Sequence, residues 1–206
     1  MTLTLIHTTD VHKATFDALR DRIAPGKKLR HVVRPQWLSQ AQGGVDARLQ
    51  AEIDGAVGRA DGPVICTCTT IGPAAEAAGA IRVDQPMMQA AARTGGPILL
   101  AYCLDSTWEP SLSLLDRALQ AEGEPQKVHP LKLTQYWPLF EAGEVEAFTA
   151  VIAGEIRQAA AALNDLGAVV LAQVSMAGAA PLLGDPGAPV LSSPELALRA
   201  GLDAKR

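Results

Sequence analysis

The segment Val-Ile-Cys-Thr-Cys-Thr-Thr-Ile-Gly-Pro-Ala-Ala begins at Val64. It is matched at constant register by Val-Val-Leu-Ala-Gln-Val-Ser-Met-Ala-Gly-Ala-Ala, which begins at Val169. Each copy passes from an apolar run, through a polar turn with a hydroxyl residue (Thr70, Ser175), into an Ala-rich helix start. A proline follows each in similar register, as Asp84-Gln85-Pro86 and Ser192-Ser193-Pro194. An internal match of this kind confines the chain to architectures in which one supersecondary plan is used twice.

The remaining sequence says what that plan is. Short β-branched or apolar runs, at Thr2–His7, Lys28–Arg34, Pro63–Cys68, Ile81–Asp84, Pro97–Cys103, Gln126–Leu131, Ala168–Gln173 and Pro189–Leu191, read as strands. Helical patterns fill the gaps, at Ala14–Ile23, Val45–Val57, Pro86–Arg93, Ser111–Ala121, Val145–Leu166 and Pro194–Ala200. Several strands are continuous apolar runs, as expected where helices cover both faces of a parallel sheet. The expected class is therefore α/β with two pseudo-symmetric lobes, each a parallel sheet of about four strands flanked by helices. A break near Gly95–Gly96 gives a first lobe over residues 1–95 and a second over 96–189, with 190–206 packing back on the first. Cys68 and Gln173 then occupy equivalent strand ends. In open α/β sheets ligands bind there, which predicts an active site in a cleft between the lobes.

Composition limits the partners. The chain has 206 residues, 48% of them apolar and 19% charged, as in ordinary globular proteins. A net charge of −4 offers no broad attraction to nucleic acid or to an anionic membrane. No apolar run approaches the roughly 18 residues of a membrane span. No basic stretch with an apolar core and cleavage site opens the chain, so no secretory leader is expected. Three cysteines, with Cys66 and Cys68 too close for an ordinary framework disulfide, fit free thiols in a reducing cytoplasm. A homodimer or higher homo-oligomer stays open, dimers being the commonest assembly.

Cys66-Thr67-Cys68-Thr69-Thr70-Ile71-Gly72-Pro73 is the most chemically informative stretch. Two residues apart on a strand, the thiols share a face. Cys66 reads as a small buried hydrophobe. Cys68 falls at the turn before a helix, whose free amides and positive end lower a thiol pKa and hold a carboxylate. Thr8 and Thr9 end the first strand, and Cys103 with Ser106 and Thr107 ends the fifth, so these border the same expected site. Cys103 reads as structural, with service as a second thiol the alternative. Trp108 and Trp137 read as packing residues.

The Cys68-Thr69-Thr70 motif resembles the Cys-Asn/Ser-Thr motif after the third strand of the aspartate/glutamate/hydantoin racemase superfamily. Arg82-Val83-Asp84-Gln85-Pro86-Met87 resembles the segment that follows it in one branch. Leu171-Ala172-Gln173-Val174-Ser175-Met176-Ala177, with Pro189-Val190-Leu191-Ser192-Ser193-Pro194, is similar to that branch's closing block. The resemblance runs from about Val64 to the C-terminus. It implies a cofactor-independent enzyme that inverts an acidic carbon of a small carboxylate with two facing cysteines. By it, Cys68 is the first-lobe base and Thr69 and Thr70 cradle the carboxylate. The second-lobe cysteine falls on Gln173, which neither accepts nor gives a proton but can hydrogen-bond a carbonyl or carboxylate. Ser175 is a further carboxylate ligand. Racemisation is the family default, and the lost thiol points to a one-thiol isomerisation, decarboxylation or elimination.

Two rivals remain. A non-catalytic small-acid binding protein on the same fold is motivated by Gln173. A metallophosphoesterase is motivated by Leu5-Ile6-His7-Thr8-Thr9-Asp10-Val11-His12, whose Asp-x-His pair resembles that family's first metal block. The four histidines and the lack of a Gly-Asn-His block leave its other ligands unmatched. His7 and His12 are accordingly expected to be ordinary loop residues, with no metal and no cofactor.

Overall fold

The computed structural model describes residues 2–123 and 125–204. The chain divides into two compact units, Met1–Pro86 with Pro194–Arg206, and Met87–Ser193.

The first unit is a parallel sheet in the order β2-β1-β3-β4, built from β1 (Leu3–His7), β2 (Leu29–Val33), β3 (Val64–Cys66) and β4 (Ile81–Arg82). Its helices are α1 (Val11–Ile23), α2 (Gln36–Gln40), α3 (Ala47–Gly58), α4 (Gly72–Ala77) and α9 (Ser193–Asp203). Helix α5 (Gln85–Ala92) leads from the first unit into the second. There the order is β6-β5-β7-β8, from β5 (Ile98–Tyr102), β6 (Val128–Lys132), β7 (Ala168–Leu171) and β8 (Val190–Ser192). Its helices continue with α6 (Asp105–Glu122), α7 (Trp137–Glu141) and α8 (Val145–Ala161), and Val174–Leu182 forms a 3-10 helix.

The repeat seen in the sequence is also a repeat of register. Thr4, Leu5 and Ile6 pair with Val64, Ile65 and Cys66, just as Leu99, Leu100 and Ala101 pair with Val169, Val170 and Leu171. By this register Thr8 corresponds to Cys103, Cys68 to Gln173 and Thr70 to Ser175. In both sheets the chain leaves the first strand to one side and returns on the other. The point where the order reverses lies between β1 and β3, and between β5 and β7. Crevices for ligands open beyond the carboxyl ends of strands at such points.

Each sheet is covered by side chains of alternating direction. Leu99, Ala101 and Cys103 join Phe148, Ile152 and Ile156 of α8 in one core, the two-residue period of the strand meeting the i, i+4, i+8 stripe of the helix. Burying each of those three α8 side chains contributes about 2 kcal/mol. Ile6, Cys66 and Cys68 likewise share a core with Trp37, Leu49 and Ile53. On the first unit α9 lays down Ala197, Leu198 and Gly201, and a Cβ at 201 would meet Ile65 and Leu3.

All eight expected strands form, most of them shortened at their ends, with β6 and β8 each running one residue further toward the C-terminus than expected. β3 stops at Cys66 and β7 at Leu171 because the chain turns there into its helices, so Cys68 and Gln173 stand just beyond the ladders. The expected helix Val145–Leu166 ends at Ala161, and a turn carries Asp165 at φ 54°. Gly167 is needed there because a Cβ would run into the Gly95 carbonyl. Helix α6 begins at Asp105 rather than Ser111 and carries Pro110 internally. The proline forfeits one intrahelical bond near the helix start, a turn also held by the Tyr102–Trp108 ring contact at 5.0 Å.

Candidate functional site

In the first unit the carboxyl ends of β1 and β3 bring Thr8, Cys68 and Thr70 together. The sulfur of Cys68 is hydrogen-bonded by the hydroxyls of Thr8 and Thr70 and by the backbone N–H groups of Thr70 and Ile71. The geometry follows from the local sequence. Gly72 donates its N–H to the Thr69 carbonyl at 3.1 Å, closing a tight turn. Ile71 then caps α4, and Pro73 stands at the start of the helix, where its missing N–H costs nothing. The orphan amides of such a start point outward from the helix, here onto the thiol.

Two opposed effects set the thiol's acidity. Burial, with Cys68 only 8% exposed, pushes it above the ordinary cysteine range, while the four donors pull it back. The net direction is upward. Cys66 differs. It is wholly buried, its Sγ faces the Cys68 carbonyl at 3.5 Å, and burial raises its pKa. Thr69 is buried in the same turn, with its carbonyl on Gly72.

The corresponding ends of β5 and β7 gather Cys103, Thr107, Gln173 and Ser175. The Oε1 of Gln173 accepts the Cys103 N–H at 2.6 Å and lies 3.5 Å from the Thr107 hydroxyl. The Thr107 hydroxyl donates its one proton mainly to the Leu104 carbonyl, at 2.7 Å. Both Gln173 contacts use the carbonyl oxygen, so the amide NH2 is its donor end. Ser175 is buried and its Oγ has no hydrogen-bond partner. Burial alone pushes Cys103 up to about 12. All three cysteines are free thiols.

His7 and His12 are not loop residues. His7 ends β1, fully buried, and His12 lies in α1 with 8% exposure. His7 places Nδ1 at 2.8 Å from Thr67 Oγ1 and Nε2 at 2.8 Å from His31 Nδ1, with His31 reaching Asp17 at 3.3 Å. Burial, aided by the neighbouring His31, holds His7 down to about 3, and burial holds His12 down to about 4. The loop expectation failed because a histidine that finds ring partners is as acceptable to a strand core as an apolar residue. Among the described residues no group of three or more His, Cys, Asp or Glu side chains is arranged to hold a metal, and no helix is long and apolar enough to cross a membrane.

Sequence reasoning also missed a buried ion pair beneath the Cys68 turn, Arg82 with Asp84. The signal was present in the charged residues that interrupt an otherwise apolar strand end at Ile81–Asp84.

No known family model matches the sequence and no curated protein does. Solved structures match along nearly the whole chain. Glutamate racemase from Thermus thermophilus superimposes with a TM-score of 0.69 at 17% identity, covering 97% of this chain and 78% of that one. A glutamate racemase isoform from Bacillus anthracis gives 0.66 at 17% identity, over 97% and 79%. Allantoin racemase from Klebsiella pneumoniae gives 0.65 at 18% identity, over 98% and 86%. The two-unit α/β fold of this chain is the fold of these racemases.

Proposed function

We propose that this chain is a cofactor-independent isomerase-type enzyme that acts at the α-carbon of a small carboxylate through Cys68. The observation that carries the reading is the convergence of four hydrogen-bond donors on one thiol where the strand order reverses. A buried structural cysteine needs no such donors. A thiol that must become a thiolate does, because each donor favours the charged form. The likeness of fold to glutamate and allantoin racemases supports the same class of chemistry.

In this reading Cys68 is the base of an isomerisation or elimination, and in a decarboxylation its thiol delivers the proton to the carbanion left by CO2. Burial keeps the thiol protonated at rest and makes the thiolate, once formed, a stronger base than an exposed one. Thr69, Thr70 and Thr8 supply the polar wall that holds the substrate carboxylate. Cys103 does not stand in for a second thiol, because it lacks the donor set of Cys68 and burial holds it protonated. Gln173 presents a donor, not a base, Ser175 adds a hydroxyl, and the Cys103 amide holds the Gln173 carbonyl with Thr107 nearby. The reaction is therefore a one-thiol isomerisation, decarboxylation or elimination in preference to symmetric two-base racemisation. Three free thiols fit a reducing cytoplasm.

Proton NMR in deuterated water, with a panel of amino acids, hydantoins and small hydroxy or dicarboxylic acids, tests this. Loss of an α-proton signal, or loss of substrate, with the wild type and not with Cys68→Ala is the expected result. Full activity of Cys68→Ala on a true substrate overturns the assignment. Gln173 also favours a second reading, a small-acid binding protein; thermal stabilisation by an acid that is never turned over is its signature. The metallophosphoesterase reading loses support, since His12 of the Asp10-x-His12 pair is buried in α1 and no group of three or more His, Cys, Asp or Glu side chains among the described residues is arranged to hold a metal.

A further inference from the structure

The turn that supplies the donors to Cys68 has its own buried support. Arg82 on β4 is 2% exposed and Asp84 is wholly buried. The guanidinium forms a fork on the carboxylate, Nε to Oδ1 at 3.0 Å and Nη2 to Oδ2 at 2.8 Å. Nη1 comes within 4.0 Å of Glu76 on α4. The strand that carries Arg82 is tied to β3, since Cys66 pairs with Arg82 and the Val83 N–H donates to the Cys66 carbonyl at 2.9 Å.

This guanidinium lies against the first residue of α4. A Cβ on Gly72 would stand 2.9 Å from Arg82 Nε and 3.3 Å from Cζ. Gly72 has no left-handed φ, so the contact, not the backbone, demands glycine here. The end of an arginine usually swings aside for a methyl group, but this one is held by two bonds to Asp84. Gly72 in turn closes on the Thr69 carbonyl, and the Thr70 and Ile71 amides within that turn meet the sulfur of Cys68.

We propose that Arg82 is a positioning residue for the reactive thiol: the Asp84–Arg82–Gly72 clamp sets the Thr69–Gly72 turn that leads into α4, so that the Thr70 and Ile71 amides converge on Cys68. The inference rests on the reading of Cys68 as the functional thiol. It also accounts for a charged pair in a place where apolar residues of similar volume hold a fold equally well.

The test reads the thiol directly, with no substrate. Alkylation of each cysteine by iodoacetamide is followed across pH by mass spectrometry, with Cys103 of the second unit as internal control. The pair-replaced variant Arg82→Met/Asp84→Leu keeps a filled core and removes the clamp. The Cys68 profile should move up by about one pH unit, with its rate near neutrality down about tenfold, while Cys103 stays unchanged. Gly72→Ala in the wild type should give the same shift, and in the pair-replaced variant should add nothing. An unmoved Cys68 profile in a folded pair-replaced variant overturns the proposal. If that variant does not unfold cooperatively, Gly72→Ala alone decides in the same way. A wild-type Cys68 that reacts no faster than Cys103 overturns the functional reading of the thiol itself, a separate and distinguishable failure.

Discussion

At the end of β3 the chain places a thiol that receives four donors, and at the matching end of β7 a carboxamide whose oxygen is already held by the Cys103 amide. The strand register is the same in both units, and so is the reversal of strand order. The exchange of residues is nearly reciprocal, too. Where the first unit has a hydroxyl at the end of its central strand (Thr8) and a cysteine after the next (Cys68), the second has Cys103 and Gln173. One fold element thus presents a thiol in one copy and a carboxamide in the other. The scaffold fixes where side chains converge, and the side chains at two positions fix the chemistry.

The largest expected difference between the two corners is in rate. Cys68→Ala should lower turnover of a true substrate by roughly a hundred- to ten-thousandfold, the usual worth of a positioned base. Cys103→Ala should leave it within about threefold while lowering the melting temperature, because Cys103 fills core space beside Phe148 and Ile152. Steady-state kinetics on both variants checks this, and equal losses would erase the distinction between the two thiols. In the wild type the rate should rise with pH to a midpoint above the ordinary thiol range, since only the thiolate is a base and burial raises its pKa.

Acid should separate the units next. His7 and His12 are buried neutral in the first unit, with pKa values near 3 and 4 against an ordinary 6.5. The unfolded chain binds more protons than the folded one between those limits. Stability is therefore fully present above pH 6.5 and is lost as pH falls toward 4 and then 3. His12 alone contributes on the order of 3 kcal/mol across that window. Fluorescence of Trp37 reports the first unit, and Trp108 and Trp137 the second, in single-tryptophan variants. Trp37 should change first on acidification, and simultaneous change would show that the histidines do not set the acid limit.

Gln173→Ala probes the second corner. It strips the Cys103 N–H of its acceptor and leaves a buried orphan donor, which costs about 1–3 kcal/mol. A fall of several degrees in melting temperature is expected, and an unchanged value would mean that water replaces the amide. Gln173→Glu restores an acceptor and should recover most of that loss, while carrying a charge that repels a substrate carboxylate.

The strands, the repeat and the place of Cys68 just beyond β3 were readable because they rest on short-range pattern: β-branched runs, a turn signal and a helix start after it. Contacts that join distant segments were not. Nothing near position 8 announces that its hydroxyl meets residue 68, and nothing near 173 announces that its oxygen meets the Cys103 amide. Arg82 and Asp84 stood in the sequence as a charged motif with no assigned place, because their fork closes only against Gly72. His7 was misread for a similar reason: its partners, Thr67 and His31, come from two other strands or their ends.

The smallest expected effect is at Ser175, the counterpart of Thr70. The Thr70 hydroxyl works within the folded protein, on Cys68, whereas the Ser175 hydroxyl is buried with no partner. Removing an unsatisfied buried hydroxyl takes away a desolvation penalty, so Ser175→Ala should be neutral or stabilising by up to about 1 kcal/mol. Thr70→Val removes a made bond and should destabilise slightly while slowing the reaction. If Ser175 is a substrate ligand, its alanine variant raises the melting temperature of the empty protein and at the same time raises KM. Paired thermal melts and kinetics resolve the two effects. A variant stabilised with KM unchanged would remove Ser175 from the site and leave the Gln173 amide as the donor that the second corner offers a substrate.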